Sequence, residues 1–166
     1  MRNEINRKEF LEKSIALTVS AMLTPFISKS GELFQVDKKI KIGLIGCGSV
    51  SGMYLPHLSK SKFVEIVSVC DIIPERASKA AEKFNVPNHY THIDQLLAGA
   101  PFELMVNLTN MQEHGRLNKQ ALLARKHIWS EKPMANTYQE GKELLDLAKK
   151  QGVRIWGAPA VVNSPQ

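Results

Sequence analysis

Three places in the chain combine residue types that can handle protons, charge or phosphate. Residues 129–134 read WSEKPM. An apolar run ends there, and an acid, a base and a proline follow. Glu131 and Lys132 therefore stand at the exit of an expected strand, and Pro133 stops a ladder or helix from continuing. Such a lysine is either held in place to manage a proton or is half of an ion pair in a surface loop. Residues 43–52 read GLIGCGSVSG. Gly46 permits a tight turn and Gly48 lets the backbone approach a pyrophosphate. Ser49 and Val50 then open a helix whose N-terminus favours an anion. Ser51 holds the third glycine position of a GxGxxG pattern, with Gly52 one residue later. A small residue there still suits close packing of helix on strand. Asp71 follows the next apolar run, where an acid can accept both hydroxyls of a ribose. Ile72 and Ile73 come next, not a basic residue that would welcome a 2′-phosphate, so NAD is expected and Arg76 keeps NADP open. The plain alternatives are a βα turn without a ligand and a helix-terminal acid.

The elements that must position these residues follow a strand–helix rhythm. Short β-branched or apolar runs predict strands at 40–45, 63–70, 89–91, 102–108, 126–130 and 153–158. Helical spacing predicts helices between them. One covers 49–60, with Val50, Met53, Tyr54 and Leu58 as its inner face. Another starts at Pro74, with Ala77, Ala80, Ala81 and Phe84 inward. A third is capped by Thr91 with Asp94, a fourth covers 111–125, and a fifth is capped by Thr137 with Glu140 and ends at Gly152. About six strands joined by helices imply a doubly wound parallel α/β sheet of Rossmann type, with ligands beyond the C-terminal ends of the strands. All three chemical stretches fall on that edge.

Bulk properties agree with one globular domain. The chain has 166 residues, 43% of them hydrophobic, and a net charge of +6. The basic residues are scattered without aromatic interleaving, which argues against a nucleic-acid surface. Two cysteines without a Cys/His cluster suggest neither a disulfide scaffold nor a metal site. Cys47 and Cys70 read as small packing residues. The first 38 residues differ from the rest. Arg7-Lys8 and Phe10-Leu11 precede an uncharged run from Ser14 to Ile27, too short to span a bilayer. The layout resembles a twin-arginine export leader with Lys8 in place of the second arginine. It predicts a periplasmic protein, with a cytoplasmic one as the alternative and no membrane insertion.

Gly46-x-Gly48 after strand one, Asp71 after strand two, NLTNMQEHG after strand four and SEKPM after strand five resemble the N-terminal domain of the Gfo/Idh/MocA oxidoreductases. This is the family of glucose-fructose oxidoreductase and inositol dehydrogenase. The likeness covers roughly residues 40–160, and KHIWSEKPMANT is its most specific segment. It implies a dinucleotide-binding domain at 39–160, with 161–166 the start of a link to a C-terminal α/β substrate domain absent from the chain. A fragment so divided would bind cofactor without turning over substrate. It also implies a sugar or polyol substrate and a homo-oligomeric full-length protein. By position, Lys132 matches the family's catalytic lysine, which would ease proton loss from the reacting hydroxyl as hydride leaves. Glu131 would help hold the ribose end of the cofactor, and Pro133 would fix the loop. Thr109 and Asn110 would pass under the nicotinamide, with Asn110 replacing a frequent proline. His114 matches a frequent family histidine at the start of the next helix, as a cofactor-side residue or equally as a structural histidine near a helix N-terminus. Arg125 stands where a helix-ending glycine is common, a left-handed position that costs a non-glycine residue about 1 kcal/mol. Two other functions fit the same residues: an NAD-dependent glycosidase using transient oxidation, and a non-catalytic cofactor-binding domain.

Overall fold

The structure is a computed structural model that describes residues 38–158. The expected leader lies outside the described residues except for its last position, and so does the stretch 161–166. No helix of the described residues is long and apolar enough to cross a membrane.

Six parallel strands form one sheet in the order β3-β2-β1-β4-β5-β6. They are β1 Ile40–Ile45, β2 Val64–Cys70, β3 Asn88–Tyr90, β4 Leu104–Asn107, β5 His127–Ser130 and β6 Ile155–Gly157. The helices between them are α1 Ser51–Leu58, α2 Pro74–Phe84, α3 Ile93–Ala98, α4 His114–Leu123 and α5 Tyr138–Gln151. A 3₁₀ turn, Met111–Glu113, leads into α4. The chain order reverses direction across the sheet between β1 and β4, which makes the C-terminal ends of those strands the switch point where α/β sheets bind ligands.

The alternation of side chains along each strand feeds two cores. Ile42 and Leu44 of β1 face Leu55 of α1 and Ala80 and Ala81 of α2. Ile45, with Met105 and Ile128, faces Leu96 of α3, Leu117, Ala121 and Leu122 of α4, and Leu144 and Ala148 of α5. Val67 is an extra residue in β2, since Ile42 pairs with Ile66 while Gly43 pairs with Ser68.

Local signals worked where a cap or turn carries them. Pro74 stands in the first turn of α2, Thr137 Oγ1 accepts the Glu140 amide at 3.1 Å, and Gly152 ends α5 at φ 70°. Arg125 lies at φ 56°, the left-handed conformation expected of it. Three expectations need correction. Val50, Tyr54 and Leu58 pack against the core as expected, but Met53 is 65% exposed. The most buried positions of α1 are Ser51 and Leu55, which the apolar spacing did not single out. The entry to α3 is held by Gln95 rather than Asp94: its Oε1 accepts from the amides of Thr91 and His92. The expected helix 111–125 is a 3₁₀ turn followed by a shorter α-helix. Strand ends also shift, inward most at β4 and β6, while β3 starts and ends one residue earlier.

Candidate functional site

The glycine turn is built for close approach. Gly46 has φ 96°, and a Cβ there would meet the Leu108 carbonyl carbon at 2.6 Å. Any side chain would be doubly excluded, by conformation and by the neighbouring β4 exit. A Cβ on Gly48 would meet nothing within 4 Å. The turn is tied down from both sides, as the Gly46 amide donates to Cys70 O at 2.8 Å and the Leu108 amide donates to Ile45 O at 2.8 Å. Ser51 Oγ donates to Gly48 O at 2.6 Å and is buried, as a small third residue should be.

Asp71 leaves β2 beside this turn, 7% exposed. Its Oδ2 accepts the Cys47 amide at 2.8 Å and its Oδ1 accepts the Ile73 amide at 2.9 Å. Both oxygens therefore already brace backbone, and about two further acceptor positions remain on the carboxylate. Burial and then the Asp71 charge push the Cys47 thiol up to about 12. Burial, Cys47 and Asp71 together push Cys70 up to about 12. Neither thiol is a nucleophile in this setting.

A cleft of about 600 Å³ opens along this edge. Gly46, Gly48, Asp71, Thr109 and Asn110 line it, with Ile72 and Arg76 on one side and Arg116 on the other. Five expected residues thus share one cavity. Ser49 and Val50 open α1 outside its lining, and Glu131, Lys132 and Pro133 lie on the same sheet edge, beyond β5.

The Glu131–Pro133 loop rests on a polar layer that the sequence did not announce. Asn107, Asn118 and Ser130 are each 0% exposed. Asn118 Oδ1 accepts from Asn107 Nδ2 at 2.9 Å, while Asn118 Nδ2 donates to Ser130 Oγ and to Met134 O at 3.0 Å each. Asn107 Oδ1 accepts from the amide and hydroxyl of Thr109. The Lys132–Pro133 peptide is cis. Glu131 Oε2 accepts the Lys132 amide at 3.0 Å, and Lys132 itself is exposed. Across the sheet edge, the Tyr54 hydroxyl donates to Glu131 Oε1.

His114 has the surroundings of the structural histidine that was the alternative to a cofactor contact. It is 1% exposed, with Nδ1 2.6 Å from Pro133 O and Nε2 2.9 Å from Thr109 O. Each ring nitrogen faces a backbone carbonyl, so the ring packs between the β4 exit and the lysine loop. One signal could have revealed this: His114 and Asn118 are polar residues one helical turn apart on the same face as Leu117, Ala121 and Leu122.

The model of the oxidoreductase family with an NAD-binding Rossmann fold matches residues 40–158. The chain is 28% identical over 118 residues to inositol 2-dehydrogenase of Salmonella typhimurium, covering 70% of this chain and 35% of that protein. It is 30% identical over 120 residues to glycosyl hydrolase family 109 protein 2 of a Shewanella species, covering 67% and 26%. Among solved structures, the WlbA dehydrogenase of Bordetella pertussis, in complex with NADH and UDP-GlcNAcA, superposes with a TM-score of 0.69 at 27% identity, covering 73% of this chain and 37% of that one. The chain thus spans between about a quarter and a little over a third of the length of these relatives.

Proposed function

The chain belongs to the Gfo/Idh/MocA oxidoreductase family, whose model describes an NAD-binding Rossmann fold, and from that premise we propose that residues 39–160 seat NAD(H) for hydride exchange with a sugar or polyol hydroxyl. The observation that carries this reading is the contrast between two glycines. Gly46 has no room for a side chain because the β4 exit fills the space, whereas Gly48 has open space where a ligand's phosphates would come. Nothing in the packing requires a glycine at the second position, and Gly48 lines the cleft, so room for a close ligand is the reading that suits it.

The residues divide the work along the sheet edge. Gly46, its own amide bonded to Cys70 O, makes the turn, and Gly48, Ser49 and Val50 present backbone amides at the start of α1, where first-turn N–H groups lack helical partners and favour a pyrophosphate. Asp71 offers its remaining acceptor positions to the ribose hydroxyls, and its negative charge opposes an added 2′-phosphate. Thr109 and Asn110 form the floor toward the nicotinamide. Glu131 and Pro133 hold the ribose end and the loop shape. When bound, the nicotinamide accepts or returns hydride. Lys132 Nζ hydrogen-bonds the substrate oxygen and stabilises the negative charge that grows there, easing proton loss as the carbonyl forms.

The test is Lys132→Ala in the natural protein together with whatever chain completes its substrate pocket. Turnover should fall by about 10²–10⁴-fold while cofactor affinity moves by less than about threefold. Unchanged turnover sinks the assignment. The likeness to a family 109 glycosyl hydrolase favours a second reading, in which the same cofactor site serves a transient oxidation during glycoside cleavage. Release of aryl alcohol from an aryl glycoside without net NADH formation would select it.

A further inference from the structure

We propose that Tyr54 is a positioning residue that couples the cofactor's phosphate seat to the lysine loop. Tyr54 stands on α1, the helix whose N-terminus follows the glycine turn, and Glu131 lies 77 residues later, after β5. The phenol donates to Glu131 Oε1 at 2.5 Å. The indole N–H of Trp129 donates to the Tyr54 oxygen at 3.5 Å. Glu131 then spends its other oxygen on the Lys132 amide.

This chain of bonds has one direction. A phenol has a single O–H, so with Trp129 donating to its oxygen Tyr54 gives its proton to Glu131. Burial, and next the Glu131 bond, hold the Tyr54 hydroxyl above its ordinary pKa, so it stays a donor. Glu131 is therefore an acceptor on both oxygens, and its carboxylate plane is fixed by one bond from α1 and one from the backbone of Lys132. The position of Lys132 is thereby referred to the helix that seats the phosphates, rather than to its own loop alone. Removing the hydroxyl frees one carboxylate oxygen and lets the acid and the following amide reorient. The phosphate seat itself, made of backbone, is untouched.

The inference rests on the reading that NAD(H) lies across this edge, with its nicotinamide half over β4 and β5. It predicts a selective effect. In Tyr54→Phe, the dissociation constant of NADH should rise by about tenfold, the loss of one charge-assisted hydrogen bond. That of ADP, which lacks both the nicotinamide and its ribose, should stay within about twofold. In a Glu131→Ala background, Tyr54→Phe should have no further effect on NADH, because its action passes through that carboxylate. Calorimetric titration of the chain with both ligands reads these outcomes. Equal weakening of both ligands, no weakening of either, or additive effects with Glu131→Ala would each overturn the inference. Should Tyr54→Phe fail to fold, Glu131→Ala breaks the same bond from the other end and must show the same preference for losing NADH. Failure of the unmodified chain to bind either ligand would refute the NAD reading itself, and this inference with it.

Discussion

Replacing Asn118 by alanine should destabilise the protein by about 3–5 kcal/mol, far more than a polar residue on a helix usually costs. Asn118 makes three hydrogen bonds with one side chain, to Asn107, Ser130 and Met134, and neither it nor Asn107 nor Ser130 is exposed. Truncation leaves Asn107 Nδ2 buried without its acceptor, at about 1–3 kcal/mol. Ser130 keeps its own donation to Glu131 O but loses the N–H it accepts, and the Met134 carbonyl loses a donor. Each of these costs about 0.5–1.5 kcal/mol, and the vacated amide leaves a small cavity. Urea unfolding followed by tryptophan fluorescence reads the change, and the midpoint should fall by about 2 M. The exposed Asn136→Ala, which loses one bond to Gln112 O, is the control and should stay within about 0.5 kcal/mol. Asn107→Ala should cost markedly less when Asn118 is already alanine, because the bond between them is gone. A loss under about 1 kcal/mol for Asn118→Ala, or strict additivity with Asn107→Ala, would refute the claim that this layer supports the lysine loop.

Three further outcomes follow from local geometry. Asp71→Asn replaces one carboxylate oxygen with an amide that faces the backbone N–H of Cys47 or Ile73, so it should cost about 1.5–3 kcal/mol and narrow the preference for NADH over NADPH, as paired titrations would show. Arg125→Gly should stabilise the protein by about 0.5–1 kcal/mol in thermal or urea melts, since a glycine adopts φ 56° without steric cost. The thiols of Cys47 and Cys70, both pushed up to about 12, should resist a disulfide reagent at mildly alkaline pH and react at once in denaturant. The sign of the linked stability follows. The unfolded thiols ionise from about 8.5, so their stabilising effect is complete below that pH and is lost as pH rises toward 12.

What could be read from the sequence was whatever is local. The β-branched run IKIGLI, Pro74 at a helix start, Thr137 with Glu140 and the Gly46 turn each carry their structural reason within a few residues. The edge on which Gly46, Asp71, Thr109 and Lys132 gather followed from counting strands, because parallel crossovers return every strand in the same direction. Contacts between distant segments were hidden. Tyr54 looked like one apolar member of a helix face, and only the folded sheet brings it to Glu131. Asn107 and Asn118 carry no local signal, since their partners lie on other elements. His114 was singled out by position with its structural role left open, as nothing near it in sequence shows that the Pro133 and Thr109 carbonyls would face its ring.

The most direct measurement is calorimetric titration of the folded chain with NADH, beside the variant Gly48→Val. The Gly48 position accepts a side chain without clash in the protein alone, because a Cβ there meets nothing within 4 Å. The account therefore predicts saturable binding by the unmodified chain, and a valine variant that melts at nearly the same temperature but has lost NADH affinity. A valine variant that binds NADH as well as the unmodified chain, or an unmodified chain that shows no saturable binding, would contradict the account.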